Sequence, residues 1–165
     1  DTGRQAHSLD VAMEILGGSE TSRLYRALVE EQRIAVSAGA SASSSGLGGG
    51  SVSVWATPVE GVTLEQVEAA ADAVIAAYLR DGPTEAELTR ARNMLTANAI
   101  YSRDSQESLA NFYGASLAQG ESIDDVVNWP ADIEAVTRED VMTIARQTLD
   151  LSASVTGWLL PEAEQ

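Results

Sequence analysis

Few residues of this 165-residue chain carry side chains suited to chemistry, and their spacing decides what they can do. There is one histidine, His7, and no cysteine. Zinc sites take three or four converging protein ligands, so a lone imidazole near the start of the chain reads as a surface histidine. Without cysteine there is neither disulfide nor thiolate chemistry, and an oxidising or a reducing compartment fits equally well. Glu30-Glu31 invites an acid/base pair. Adjacent helical residues point ~100° apart, however, so the two carboxylates do not converge on one substrate atom and read as a solvated helix face. Arg23 and Arg26 flank Tyr25 as an anion site would. The simpler reading packs Tyr25 inward and leaves the arginines in solvent or paired with acids. Trp55, Trp129 and Trp158 stand on different elements and read as packing rather than a ligand cage. On these grounds no catalytic, cofactor-binding or metal-binding residue is assigned within the chain.

The glycine runs are equally plain. SSSGLGGG, residues 43–50, lacks the spacing of a dinucleotide or P-loop fingerprint and lies between two strand patterns, so it reads as a turn. Gly17-Gly18 reads as a helix stop.

The elements around these residues follow from periodicity. Residues 1–7 read as a frayed polar end, with Ser8 capping a helix through Leu9, Ala12, Met13 and Leu16. A second helix opens at Ser19 or Ser22, carries Leu24, Tyr25, Leu28 and Val29 on one face, and feeds a strand at Ile34. Residues 33–58 alternate as an antiparallel hairpin that ends at Pro58. Thr63 with Gln66, and Thr84 with Glu87, predict capping boxes on two long helices separated by Gly82-Pro83. Asp104 or Ser105 is expected to cap a helix through Leu109, Phe112 and Leu117. Ile123–Trp129 predicts a short helix ended by Pro130, and Thr137 starts another carrying Val141, Ile144, Ala145 and Leu149. Ser152–Leu160 reads as a closing strand. The order predicts an α+β fold in one domain, residues 1–165, with helices on one face of a mostly antiparallel sheet.

The formal net charge of −15 repels phosphate backbones, so nucleic-acid binding is not expected. No apolar run reaches the ~20 residues of a membrane helix, and no signal peptide is visible. The abrupt start suggests a piece of a longer protein.

One stretch resembles a known family. Leu16-Gly17-Gly18, Ser22-Arg23-Leu24-Tyr25, Leu28, Glu30, Ile34 and Ala35 are similar to the "LGGG…SRLY…LRE…GLAY" stretch of the insulinase/pitrilysin (M16) zinc peptidases, in their second, non-zinc domain. The likeness continues through Gly82-Pro83 to Arg92, Arg103-Asp104-Ser105, Ile133, Val136-Thr137, Glu139-Asp140-Val141 and Ser154–Pro161. The resemblance implies a metallopeptidase-type (LuxS/processing-peptidase-like) fold, with any first strand lying before Asp1. It also implies the inactive C-terminal domain of a two-domain zinc metalloendopeptidase that encloses unfolded peptide. Zinc would sit in the first domain on a His-x-x-Glu-His helix, so this chain by itself is expected to be inert and to bind no metal. Expected partners are that zinc domain, peptide substrate, and an M16-like partner subunit. The family's substrate-gripping Arg and Tyr fall at Val29 and Val36 here, and valine cannot donate a hydrogen bond, so the partner subunit would carry that pair. The alternatives are a scaffold domain of a catalytically inactive relative, like the core subunits of respiratory complexes, and a free-standing interaction domain. A bacterial periplasm or cytoplasm fits either compartment reading.

Overall fold

The structure is a computed structural model that describes residues 2–43, 50–101, 106–118, 120 and 122–160. The chain opens with α1 (Thr2–Met13), which runs on into a π-helical turn, Glu14–Gly18. A short α2 (Arg23–Tyr25) continues the same way through Arg26–Glu31. Then come β1 (Ala35–Ser43) and β2 (Ser51–Pro58), an antiparallel pair. Helices α3 (Leu64–Asp81), α4 (Glu85–Tyr101), α5 (Gln106–Ala118), α6 (Ile123–Ala135) and α7 (Arg138–Thr148) follow, and a 3₁₀ turn, Leu151–Ala153, precedes the last described stretch. The fold is α+β, as the sequence pattern predicts.

The hairpin shows why its two faces differ. Gly39 faces Trp55, Ala40 faces Val54 and Ala42 faces Val52, with an irregularity between Ala35 and Ser37. The alternation of a strand puts Ala38, Ala40, Val52, Val54 and Ala56 toward the helices. Ser41, Ser43, Ser51, Ser53, Trp55 and Thr57 are exposed on the other side. The core gathers Leu16, Leu24 and Leu28 with Val67, Tyr78, Leu88, Ile133 and Val141, all nearly or fully buried.

Helix starts follow the predicted chemistry. The Gln66 amide donates to Thr63 Oγ1 at 3.3 Å while the Gln66 side chain accepts from the Thr63 amide at 3.0 Å. Thr84 and Glu87 repeat this reciprocal pairing at 2.7 and 3.2 Å. Ser122 with Asp125, and Thr137 with Asp140, close two further boxes. Each satisfies orphaned amides of a first helical turn. The predicted cap at Asp104 or Ser105, the Arg103-Asp104-Ser105 segment, most of the 43–50 turn and Pro161 lie outside the described residues.

Three expectations are corrected. The first residues are not a frayed end: α1 starts at Thr2, and Ser8 sits within it, buried, its hydroxyl donating to the Arg4 carbonyl at 2.6 Å. Arg4 ties this first turn to Asp140 of α7 at 2.8 and 3.2 Å, a long-range anchor that local pattern does not reveal. Pro130 does not end its helix, because α6 runs through it to Ala135. Burial of Ile133 and Val136 in the core, with Arg92 donating to the Val136 carbonyl, outweighs the missing proline amide. Nor is Ser152–Leu160 a strand. Asp150 accepts the Ser152 amide at 2.9 Å and curls the chain into a turn, and residues 154–160 join no ladder among the described residues.

Candidate functional site

His7 is half-buried rather than free on the surface. Its side chain is 17% exposed, with Nε2 3.7 Å from Asp132 and its ring edge-on to Trp129 at 6.4 Å. One imidazole beside one carboxylate is not a donor set for zinc. Among the described residues, no three His, Cys, Asp or Glu side chains are grouped to hold a metal ion. Glu30 and Glu31 are both exposed, Glu31 lying 3.7 Å from Arg26.

Arg23 carries the most developed polar arrangement. It donates to both Glu87 oxygens at 2.7 and 2.8 Å and to the Gly82 carbonyl at 2.8 Å, and it stacks 5.1 Å over the Tyr78 ring. Burial pushes the Glu87 carboxyl upward, but bonds from Arg23 and Thr84 outweigh it and hold the group at about 2. From α7, Arg138 grips the same corner, donating to the carbonyls of Asp81 and Pro83 at 2.7 and 2.8 Å. Gly82, at φ 71°, takes the left-handed turn that brings α3 and α4 under both guanidiniums. Both arginines are therefore structural. Arg26 is exposed, and Tyr25 is only half-buried, which corrects its inward placement: Leu24 and Leu28 fill that role.

Gly17 is more than a helix stop. A Cβ there would come within 2.1 Å of the Ala40 amide nitrogen, so the end of the first helix rests directly on the β1 backbone. On the outer face Trp55 lies over Gly39, where a Cβ would meet the ring at 2.4 Å. Trp129 packs against the core, whereas Trp158 reaches α3, its Nε1 donating to Glu68 at 3.0 Å. Val29 is half-buried against the core and Val36 is 59% exposed at the β1 irregularity. Neither can bond a peptide through its side chain.

A groove of about 740 Å³ lies between β2, α3 and residues 148–159. Val54, Val67 and Ile75 line its apolar side, and Glu68, Asp72 and Asp150 supply carboxylates. Periodicity did not reveal this groove, because its two walls are almost a hundred residues apart and the second wall was expected to be a paired strand.

Residues 1–95 match the family model of the Peptidase M16 inactive domain, and the chain belongs to that family. The structure superposes with a TM-score of 0.82 on the inactive peptidase domain of a candidate zinc protease from Bordetella parapertussis, at 20% identity over 98% of this chain and 87% of that one. A protease from Helicobacter pylori gives 0.79 at 20% identity, over 89% of this chain and 35% of its own. A peptidase M16 inactive domain from Pseudomonas fluorescens gives 0.72 at 20% identity, over 88% and 34%. The present chain thus spans about a third of the Helicobacter pylori protein. At this identity the likeness is one of fold. No curated protein matches the chain. Among the described residues no helix is long and apolar enough to cross a membrane.

Proposed function

We propose that the chain is the non-catalytic C-terminal domain of an M16-like zinc metalloendopeptidase, where it forms part of the wall of a peptide-enclosing chamber and packs against the zinc domain. The observation that carries this reading is the family match over residues 1–95, joined to a chain whose only imidazole, His7, is engaged in packing. The name of the Bordetella parapertussis relative supports zinc in the parent protein. Catalysis would then belong to the first domain, whose zinc would activate a water, while this domain shapes the enclosure.

Exposed apolar side chains support an interface. Leu117, Ile123 and Val127 stand open on α5 and α6, and Trp55 on the sheet. Apolar surface left open on a domain marks a contact face. Val29 and Val36 favour a partner subunit that supplies the Arg/Tyr grip on the substrate.

The test is peptidase activity of the full-length parent on a long unstructured peptide, alone and with its candidate partner, with and without zinc. Zinc-dependent cleavage that needs the partner is expected. Cleavage by the parent alone would overturn the division of labour, and absence of cleavage in every mixture would favour the scaffold reading.

A further inference from the structure

We infer that the joint where the helical run ending at Gly18 meets α2 and α4 binds one structural water molecule, held between the Ser22 hydroxyl and the Glu14 carboxylate. The site lies apart from the groove beside β2 and does not depend on the function proposed above.

The first observation is the Ser22 hydroxyl. A serine just ahead of a helix ordinarily accepts an amide of the first turn. Ser22 holds that position before α2, yet its side chain makes no such bond. The backbone alone ties the turn. The Ser22 amide donates to the Ser19 carbonyl, and the Ser22 carbonyl accepts the Arg26 amide, each at 3.0 Å. The residue is 3% exposed, and its Oγ has no partner among the described residues. Buried hydroxyls without a partner are rare in folded proteins, because such a group gives up water and gains nothing in return.

The second observation is the space that this hydroxyl faces. Ser22 lines a pocket of about 10 Å³ together with Glu14, Ser19, Thr21, Glu87 and Arg90. That volume holds about one water molecule and nothing larger.

The third is Glu14, which is half-buried. Its carboxylate lies against Gly18, where a Cβ would come within 2.2 Å of Oε2. Burial pushes the carboxyl above its ordinary value, opposed by a bond from Ser19. Among the described residues no ion pair includes it. A carboxylate accepts about four hydrogen bonds, so Glu14 has acceptor capacity to spare.

The balance of the lining selects the ligand. Both Glu87 oxygens accept from Arg23, so that pair is neutral. What remains is one carboxylate, Glu14, one guanidinium, Arg90, and the hydroxyls of Ser19, Thr21 and Ser22. A cation would be repelled by Arg90, and an anion by Glu14. A neutral molecule that both donates and accepts suits all of these groups, and at this size that molecule is water. It would accept from Ser22 and donate to Glu14, joining the end of the first helical run to the start of the second. A bridge of this kind is nearly as favourable as a direct bond.

The experiment is a crystal structure of the 165-residue chain, soaked in rubidium chloride, at a resolution that shows ordered solvent. A solvent peak about 2.8 Å from Ser22 Oγ and from a Glu14 oxygen, with no anomalous rubidium signal, is expected. An anomalous peak would make the ligand a cation and overturn the proposal. So would the absence of any peak, or a direct bond from Ser22 to Glu14 that closes the pocket. Ser22→Ala gives the same answer in solution. Loss of a hydroxyl bonded to water is expected to lower the melting temperature by about 3 °C. An unchanged or higher melting temperature would mean that the hydroxyl has no ligand, and overturns the proposal. The crystal of the unaltered chain decides the matter even if the variant does not fold.

Discussion

Arg23 shows how one residue changes meaning between sequence and structure. Beside Tyr25 and Arg26 it suggests an anion site, but folding places Glu87, sixty-four positions away, against both of its donating nitrogens. Glu87→Gln removes a charge-assisted pair at a half-buried corner and is expected to cost about 2 kcal/mol in urea unfolding. The sign of its pH dependence follows from the lowered carboxyl. Glu87 titrates at about 2 in the folded chain against 4.5 when free, so its stabilisation is complete above about pH 5 and is lost as pH falls toward 2. Asp140, which Arg4 also holds at about 2, loses its contribution over a similar acid range. Melting temperature should fall in that window for the parent sequence and less steeply for Glu87→Gln. Arg33 is a second residue-scale case. It sits at φ 55°, a conformation that suits glycine, and Arg33→Gly is expected to raise stability by about 1 kcal/mol in urea unfolding.

At the scale of elements, the meeting of the first helix with the hairpin organises the domain. Gly17 against Ala40, and Gly39 under Trp55, leave no room for side chains at either contact. Gly39→Val is expected to lower stability by about 2 kcal/mol or more, through collision with the Trp55 ring and the Gly17 carbonyl. Because the ring is the nearer obstacle, Trp55→Ala in the same chain should recover part of the loss, which a double-mutant cycle reads directly. The existence of most elements was legible in the sequence, because helical periodicity and reciprocal caps such as Thr63–Gln66 are local. Local pattern misleads where distant contacts decide. Pro130 is a helix breaker by local rule, yet buried Ile133 and Val136 carry α6 past it. Ser8 has the chemistry of a cap, but Arg4 bound to Asp140 moves the helix start ahead of it.

At the scale of the whole molecule, the alternating pattern of residues 152–160 was legible as a strand but its partner was not. A strand requires a neighbour, and the groove beside β2 is the place where one is lacking among the described residues. Membership of the M16 inactive-domain family was carried by the stretch from Leu16 to Ala35, which both the motif and the family match include. What no local pattern could give was the role of His7, whose neighbours Asp132 and Trp129 come from α6. The central claim is that catalysis resides outside this domain. It is tested most directly by measuring zinc content and cleavage of a long unstructured peptide for the parent protein and for this chain side by side. The parent is expected to hold about one zinc and to cleave with its partner present, while the chain alone holds none and leaves the peptide intact. Stoichiometric zinc together with cleavage by the 165-residue chain itself would contradict it.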